Sequence, residues 1–229
     1  DNLVVDVTEE KANITYRLEP KLEDGKVNFI FPSGFLKAGL HYSITAFAPG
    51  FEIVKATTYI PKPSTISNLV ISDVSIEQSP AHEFKKIIHY TVTFDIEHVE
   101  SNRYYHLVFY NKYNGLDDLY LINPEDSDDQ PFIQHYEYGV LIDRLDLEPD
   151  APVSFHFQDW AVDNNDLTRV FIELRSITED YYKYHSSLTR QLIVRQDPFA
   201  EPVTIYNNIE GGYGNFSGFS PDITSSDLP

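Results

Sequence analysis

The sequence predicts a mainly β protein, with a small N-terminal β-sandwich followed by a larger β-sandwich-type domain that carries one amphipathic helix near the C-terminus. Three observations predict this class. The first sixty residues contain short β-branched and aromatic stretches separated by glycine and proline turns. Residues 88–96 alternate strictly between apolar and polar side chains. Apolar residues recur at helical spacing between positions 181 and 192, which indicates a helix.

The N-terminal region is predicted to form five short strands, because each stretch is rich in residues that favour a pleated surface. They are Leu3–Val7, Asn13–Leu18, Val27–Phe31, His41–Phe47 and Phe51–Ile60. Pro61 and Pro63 follow, and proline cannot donate to a sheet ladder, so this stretch favours an extended connector. We therefore predict a small β-sandwich domain over residues 1–62 and a larger domain over 63–229. The alternative is an ordinary loop inside one larger sandwich.

The second domain is predicted to continue as a sheet protein. The period of two over residues 88–96 is that of a strand with one buried face. Asn114-Gly115 predicts a hairpin-type turn, because both residues tolerate positive φ. The polar tail from Ser220 is predicted to be mobile. Further strands are predicted at Ile66–Ile76, Arg103–Tyr110, Phe132–Ile142, Val153–Trp160, Leu167–Arg175 and Val203–Tyr206.

One segment has the periodicity of an amphipathic helix. Thr178 is a suitable N-cap, and Glu179 and Asp180 place negative charge in the first turn, where the helix dipole favours it. We predict a helix over Glu179–Val194 that ends before Pro198 and packs its apolar stripe on a sheet. The stripe consists of Tyr181, Tyr184, Leu188 and Leu192.

The composition excludes several classes of function. The 229 residues include 17 Lys and Arg against 36 Asp and Glu, a formal net charge of −19. Such a chain repels phosphate backbones and anionic membrane surfaces, so no nucleic-acid partner is expected. There is no cysteine, which excludes disulfides, thiolate nucleophiles and cysteine-ligated metals within the chain. No apolar run approaches the length of about 18 residues that spans a bilayer.

No motif for catalysis is found, so the chain is predicted not to be an enzyme and to need no cofactor. The eight histidines show no helical metal spacing, and His89, His106 and His156 fall on predicted strands, on the polar face. A hydrolase serine in G-x-S-x-G is absent. The glycines between 211 and 218 lack the Lys-Ser/Thr of a phosphate loop, and they predict a tight turn or close backbone approach instead.

Two acidic turns are weak candidates for calcium, which prefers several oxygen ligands. The run 125–129 fails the EF-hand template because Gln130 occupies a ligand position, and the turn 163–166 is equally ambiguous. Acidic loops are usually solvated surface, so no metal site is predicted. The weak calcium candidates are Asp126, Asp128 and Asp163.

Aromatic residues on the predicted strands are the candidates for ligand binding. Asp159 stands beside Trp160, whose indole could stack on a sugar, and Tyr104 and Tyr110 lie on the predicted strand Arg103–Tyr110. The alternative interpretation is that Trp160 closes the core at a strand end.

The C-terminal third resembles the terminal signature of the Bacteroidetes envelope lipoproteins grouped as domain-of-unknown-function family 4249. The signature covers residues 197–203 (DPFAEPV) and 207–218 (NNIEGGYGNFSG). Other motifs also resemble that family, and together they span roughly residues 40–220 in its order. They are Tyr59-Ile60-Pro61, Asn102-Arg103-Tyr104-Tyr105, Phe157-Gln158-Asp159 and Ser176–Tyr184.

The resemblance implies a lipid-anchored protein of the bacterial outer membrane that faces the periplasm or the cell surface. It also implies an immunoglobulin- or transthyretin-like N-terminal sandwich and a TonB-dependent outer-membrane receptor as partner. No catalytic residues are carried over. The lipidated cysteine is not in this chain, which begins at Asp1, and the first domain is short for the family. We therefore expect the export signal and the lipid anchor to lie upstream.

Three hypotheses of function follow. The leading one is a non-catalytic accessory or binding lipoprotein that assists a TonB-dependent receptor in nutrient uptake. The second is a carbohydrate-binding module or glycan-processing enzyme, whose ligand would be a glycan or another small molecule. The third is a structural or adhesin-like β-sandwich that self-associates through strand edges.

Overall fold

The computed structural model describes residues 3–79, 86–125, 132–149, 151–160, 166–195 and 199–229. It confirms the predicted fold class, since the chain is mainly β with antiparallel sheets and an α-helix near the C-terminus. The chain divides into two compact units. Unit 1 comprises Asp1–Lys62 and Ile177–Ser220, and unit 2 comprises Pro63–Ser176 and Pro221–Pro229. The helix and the glycine-rich segment, which the prediction placed with residues 63–229, therefore group with the N-terminal strands.

The described residues of unit 1 form six strands, which build a four-stranded sheet and a two-stranded hairpin. The strands are β1 (Val4–Glu9), β2 (Ile14–Leu18), β3 (Pro20–Glu23), β4 (Lys26–Phe29), β5 (His41–Phe47) and β6 (Val54–Tyr59). The sheet has the order β2-β1-β5-β6 with antiparallel pairs throughout, and β3 pairs with β4. Strand β3 was not predicted, because Pro20 and the charged residues beside it do not alternate as in a half-buried strand.

The core of unit 1 lies on one face of this sheet. Alternation along β1 buries Val5 and Val7, and Tyr42 of β5 is buried beside them. The Tyr42 hydroxyl donates to the Phe35 carbonyl at 3.1 Å and accepts from the Lys37 amide at 2.9 Å, so its polar end is satisfied inside the core.

The glycine-rich segment runs along the edge strand of unit 1. The amide of Lys55 on β6 donates to the Glu210 carbonyl at 3.1 Å, and the Glu210 amide returns a bond of 2.8 Å. A Cβ on Gly211 would lie 2.9 Å from the Ile53 carbonyl oxygen, and one on Gly218 would overlap the Tyr59 carbonyl. The glycines therefore permit the close backbone approach that the sequence predicted, and here the neighbour is strand β6 and its flanks.

The helix α1 (Glu179–Val194) has the predicted bounds. The Thr178 hydroxyl accepts from the Tyr181 amide at 3.3 Å and caps the first turn, as its position predicted. The predicted strand Val203–Tyr206 is wrong. Its backbone amides bond to α1 side chains instead, with Val203 donating to the Gln191 side chain at 2.7 Å and Tyr206 donating to the Ser187 hydroxyl at 2.9 Å.

The described residues of unit 2 form two antiparallel sheets. Its strands are β7 (Thr65–Gln78), β8 (Lys86–Glu97), β9 (Tyr104–Tyr113), β10 (Leu119–Ile122), β11 (Ile133–Gln134), β12 (Val140–Asp143), β13 (Val153–Trp160), β14 (Leu167–Ile177) and β15 (Phe219–Asp227). One sheet has the order β13-β8-β7, and the other has the order β11-β12-β9-β14-β15 with β10 also paired to β9. A 3₁₀ turn, Arg144–Asp146, follows β12.

The two sheets enclose the core of unit 2. The predicted inward side chains of β8 are all buried, which confirms the alternation over residues 88–96. Phe109 of β9 contacts Phe155 and Phe157 of β13 edge to face, with ring centroids 5.1 and 4.9 Å apart. These contacts join the opposed sheets through aromatic packing of a favourable geometry.

The C-terminal tail is ordered as strand β15, so the expectation of a mobile tail from Ser220 is wrong. Leu228 is partly buried against the core of unit 2, and its amide donates to the Thr168 carbonyl at 3.0 Å. Arg169 and Asp227 form an ion pair across the strands at 2.6 Å. Backbone pairing at the sheet edge stabilises this strand, although its polar side chains do not predict one.

Two further strand predictions need correction. The predicted strand Phe132–Ile142 is divided in the structure into β11 and β12, with a turn that ends at Gly139, whose φ of +80° requires the left-handed region. Strand β10 was missed, since it is short and follows the predicted turn at Asn114-Gly115 after only three residues.

Replacing Gly218 by Ala should destabilise unit 1. The added methyl would overlap the Tyr59 carbonyl and lie 2.7 Å from Ile60 Cδ1, so backbone must move. Overpacking of this kind costs about 1–3 kcal/mol in the free energy of unfolding, which urea denaturation measures.

Gly25→Asn is the matched control. Gly25 has a φ of +75° and open space at its Cβ position, and Asn tolerates the left-handed region. Its loss of stability should be smaller than that of G218A. Equal losses for the two variants would contradict the close-approach interpretation.

Candidate functional site

A cleft of about 670 Å³ opens at one end of unit 2. Its walls are the end of β8 with the loop 98–103, and the 3₁₀ turn with the connection to β13. Pockets for small molecules usually enclose about 300–1,000 Å³. The cleft is therefore large enough for a small ligand.

Buried hydrogen bonds to Ser64 fix the first wall. The Ser64 hydroxyl accepts from the Val99 amide and from the Asn102 side-chain Nδ2, each at 3.1 Å. The Ser64 amide donates to the Ser176 hydroxyl at 2.9 Å. Because Ser64, Asn102 and Ser176 are all buried, these bonds form in a low dielectric and hold the loop in one conformation.

An ion pair joins the first wall to the second. Arg103 Nε donates to both carboxylate oxygens of Asp143, at 2.9 and 3.0 Å, and its Nη2 donates to Oδ2 at 2.6 Å. Asp143 Oδ1 also accepts from the Leu145 amide at 3.0 Å and caps the 3₁₀ turn. Burial raises the pKa of Asp143, but the bonds from Arg103 and Leu145 outweigh it and hold that pKa below its ordinary value.

A histidine and an arginine also line the cleft. His98 Nδ1 lies 2.8 Å from the Tyr105 hydroxyl, which in turn lies 3.4 Å from the Ser64 hydroxyl. Burial and the positive charge of Arg144 lower the pKa of His98, against a smaller opposing effect of Glu97. His98 is therefore neutral at pH 7, and Arg144 supplies the fixed positive charge beside it.

The acidic residues of the cleft differ in how far they are satisfied. Asp95 accepts from the Asn68 side chain at 2.7 Å, and Glu97 accepts from the Ser67 hydroxyl at 2.6 Å. Residues 67 and 68 border a bulge of β7, which re-aims their side chains. Glu100 also lines the cleft, and among the described residues its carboxylate has no hydrogen bond or ion pair.

Glu148 and Arg144 also line the cleft, and neither side chain forms an ion pair with another described residue. Leu145 and Leu147 add apolar surface to the same wall. The cleft thus combines a rigid frame, an apolar wall and charged side chains of both signs.

The predicted ligand residues Tyr104 and Tyr110 lie away from the solvent-facing surface that a platform requires. Tyr104 is only 8 % exposed, and the Arg103 guanidinium lies over its ring at 4.9 Å from the centroid. Tyr110 is half-buried and donates to Glu173 Oε2 at 2.8 Å. Burial and this bond raise the pKa of Tyr110.

Asp159 belongs to a buried hydrogen-bonded chain. The Tyr90 hydroxyl donates to Asn111 Oδ1 at 2.8 Å, Asn111 Nδ2 donates to Asp159 at 2.8 Å, and Tyr113 also donates to Asp159. Burial and Asp159 raise the pKa of Tyr113. This arrangement gives Asp159 a structural partner for its carboxylate, while the neighbouring Trp160 remains 41 % exposed.

The four predicted ligand residues do not form one platform. Tyr113, the partner of Asp159, ends β9, and Tyr104 begins it. Nine residues at a rise of about 3.3 Å separate the two strand ends by roughly 30 Å. Asp159 and Trp160 therefore lie at one end of unit 2, and Tyr104 lies at the other.

A second buried cluster contains histidines. His106 was predicted on the polar face of its strand, but it is buried beneath His135, with ring centroids 4.5 Å apart. Its Nε2 donates to the Tyr138 carbonyl at 2.9 Å. Burial, with help from the charge of Arg175, lowers the pKa of His135 to about 4. The prediction failed because the segment that covers β9 is distant in sequence.

No group of three or more His, Cys, Asp or Glu residues is arranged to hold a metal ion in the part of the chain that the structure describes. The weak calcium candidates Asp126, Asp128 and Asp163 lie outside the described residues.

In unit 1, the glycine-rich segment exposes an aromatic side chain on a rigid frame. The Asn207 side chain accepts from the Gly214 amide at 2.8 Å and donates to the Gly212 carbonyl at 3.2 Å. The Asn208 side chain exchanges two bonds with the Phe216 backbone, at 2.9 and 2.8 Å. Tyr213, between two glycines, is 99 % exposed. We call residues 207–216 the tyrosine loop.

The family model described as "Domain of unknown function (DUF4249)" matches residues 2–224. The chain belongs to the DUF4249 family. Comparison with curated proteins and with solved structures found no significant match. Within the described residues, no helix is long and apolar enough to cross a membrane.

The DUF4249 motifs recognised in the sequence have structural roles in this fold. The motif Asn102–Tyr105 builds the cleft frame through Ser64 and Asp143. The signature over residues 207–218 forms the tyrosine loop and its attachment to β6. The sequence did not single out Arg144, Glu100 or Glu148, because charged residues in loops resemble solvated surface. The one signal in this region was Asp143, because aspartate is a favoured N-cap residue and its position indicates that a helical turn follows.

Asp143→Asn should destabilise unit 2. Asn can still accept the hydrogen bond from the Leu145 amide, but it lacks the negative charge that pairs with Arg103. Loss of this ion pair should lower the free energy of unfolding by about 1–2 kcal/mol. Urea denaturation measures this cost. The matched control is Asp6→Asn, which removes an ion pair of similar geometry with Arg17 at an exposed site. A loss for D6N as large as that for D143N would contradict the framing role.

His135→Asn should flatten the pH dependence of stability between pH 7 and pH 5. The unfolded histidine has a pKa near 6.5 and the folded one near 4, so the unfolded state binds more protons and stability falls as the pH falls through this window. In the wild type, this histidine alone lowers the free energy of unfolding by about 2 kcal/mol between pH 7 and pH 5. Urea denaturation at both pH values should show that H135N lacks this loss, and an unchanged slope would contradict the assignment.

Proposed function

We propose that this protein is a non-catalytic binding protein of the bacterial outer membrane, which captures a small ligand and assists a TonB-dependent receptor in its uptake. The cleft of unit 2 is the observation that carries the proposal. Its frame is fixed by Ser64 and by the Arg103–Asp143 pair before any ligand arrives, and preorganisation lowers the entropic cost of binding.

The charged groups of the cleft support binding over catalysis. A general acid or base needs a titratable group with a pKa near the working pH, close to the bond it acts on. His98, a histidine of the cleft, has its Nδ1 within hydrogen-bond distance of the Tyr105 hydroxyl, and burial and the charge of Arg144 lower its pKa from the ordinary value. Arg144 stays charged at any physiological pH and recognises anionic groups by geometry.

The tyrosine loop supports a protein partner. Tyrosine supplies a large contact area at a small entropic cost, and it is enriched at interface hot spots. Asn207 and Asn208 fix the loop from both sides, so Tyr213 is presented without the ordering cost of a flexible segment. The family resemblance supports the choice of a TonB-dependent receptor and of a lipid anchor upstream of this chain.

A carbohydrate-binding module is the second candidate, because Trp160 remains exposed beside Asp159. Sugars pack their C–H faces on aromatic rings, and no Trp, Tyr or Phe is among the described residues that line the cleft. A glycan would therefore be expected at Trp160. Binding of a glycan array by wild type and its loss in Trp160→Ala would favour this candidate over the first.

A pull-down from the native envelope tests the leading proposal. The tagged protein, incubated with detergent-solubilised envelope, should recover a TonB-dependent receptor that mass spectrometry identifies. Tyr213→Ser should reduce the recovery roughly tenfold, as expected for a hot-spot residue. Phe199→Ser, at a side chain 94 % exposed outside the tyrosine loop, is the control and should leave the recovery unchanged.

The identity of the recovered proteins tests the proposed partner and the proposed surface. Recovery of a receptor by wild type and F199S, with loss in Y213S, supports both the partner and the surface. Envelope samples in which wild type never enriches a TonB-dependent receptor would contradict the proposed function.

A further inference from the structure

We propose that the cleft of unit 2 binds a zwitterionic ligand of the amino acid or short-peptide class, with Arg144 holding the carboxylate and Glu100 and Glu148 meeting the ammonium group. The inference rests on the proposed function in one respect, since both need the cleft to take a small ligand. It adds the chemistry of that ligand.

The charges left after internal pairing define the ligand. Arg103 is matched by Asp143, and hydrogen bonds from Asn68 and Ser67 satisfy Asp95 and Glu97 in part. Within the described residues, the charged groups of the cleft with neither an ion pair nor a side-chain hydrogen bond are then the Arg144 guanidinium and the carboxylates of Glu100 and Glu148. A ligand with charges of both signs complements this set.

Simple anions complement the cleft poorly. Among the described residues, the four carboxylates that line it outnumber its two guanidinium groups, and the whole chain carries a net charge of −19. Both effects oppose a ligand that brings only negative charge, such as a phosphate ester. A zwitterion avoids this cost, because its ammonium group offsets the repulsion that its carboxylate meets.

Arg144 is suited to a carboxylate by geometry as well as by charge. The planar guanidinium binds both oxygens of a carboxylate through two parallel hydrogen bonds. Arg144 lines the cleft together with His98, and its positive charge contributes to the lowered pKa of that histidine. Neutral His98 leaves this positive charge as the recognition group at pH 7.

Apolar residues on both walls of the cleft indicate a ligand whose side chains carry no further charge. Ile96, Leu145, Leu147 and Val153 line the cleft together. The volume of about 670 Å³ exceeds the needs of a single small amino acid and accommodates a short peptide. A dipeptide of leucine is therefore a fitting probe.

Isothermal titration calorimetry at low ionic strength tests the inference with four probes: Leu-Leu, Leu-Leu amide, N-acetyl-Leu-Leu and maltotriose. Leu-Leu should bind wild type, and the amide should bind roughly 10- to 100-fold more weakly, because it cannot form the charged bonds to Arg144. Arg144→Gln should weaken Leu-Leu by a similar factor and should no longer distinguish the dipeptide from its amide.

Two further comparisons separate the cleft from the general field of the protein. N-acetyl-Leu-Leu should bind more weakly than Leu-Leu, and the double variant E100Q/E148Q should remove that difference. Arg190→Gln, at an exposed helix position of unit 1, changes the net charge by the same amount as R144Q and should leave binding unchanged. Thermal melting confirms that each variant is folded.

The outcomes distinguish the inference from the proposed function. Equal affinity for Leu-Leu and its amide, or full affinity in R144Q, overturns the inference. Binding of maltotriose without binding of Leu-Leu, or binding of no probe, also overturns it. In these cases recovery of a receptor in the envelope pull-down would leave the proposed function standing.

Discussion

The ion pair between Arg103 and Asp143 is the interaction on which the cleft of unit 2 depends. It joins a loop that follows β8 to a turn that follows β12, and these segments are distant in sequence. The same carboxylate caps the 3₁₀ turn through Leu145, so one side chain fixes both the position and the shape of the second wall. The buried bonds of Ser64 fix the first wall. With both walls held, the charge of Arg144 is placed by the fold and not by the ligand.

Patterns local in sequence predicted most of the fold. The period of two in β8 and the capped period of α1 gave bounds within two residues, because each pattern is local to one element. The predicted apolar stripe of α1 was only partly right, since the buried residues of the helix are Tyr181, Ser186 and Thr189 and Leu192 is exposed. Segments whose structure depends on hydrogen bonds to another element were not predicted correctly. Strand β15 carries polar side chains and depends on the edge of β14, while the segment 203–206 resembles a strand but bonds to side chains of α1.

The candidate site was harder to predict than the fold, because it depends on which side chains the fold covers. Tyr104 and Trp160 are similar in sequence context, yet the first is buried and the second is exposed. His106 is buried by a segment some thirty residues away. Arg144 has no distinguishing pattern around it, and its role follows only from the partners that its neighbours already have. The family motifs contain residues of the cleft frame, whereas Glu100, Arg144 and Glu148, the charged residues proposed to bind the ligand, lie outside these motifs.

Arginine side-chain NMR gives the most direct test of the central claim, that Arg144 receives a carboxylate inside a preformed cleft. The Nε–Hε signal of Arg144 is followed during titration with Leu-Leu, and the R144Q spectrum assigns it. We expect this signal to move to lower field and to saturate, as a charged hydrogen bond forms, while the signal of Arg103 stays in place because its partner is unchanged. A titration that leaves the Arg144 signal unmoved, or that moves Arg103 instead, would contradict the account.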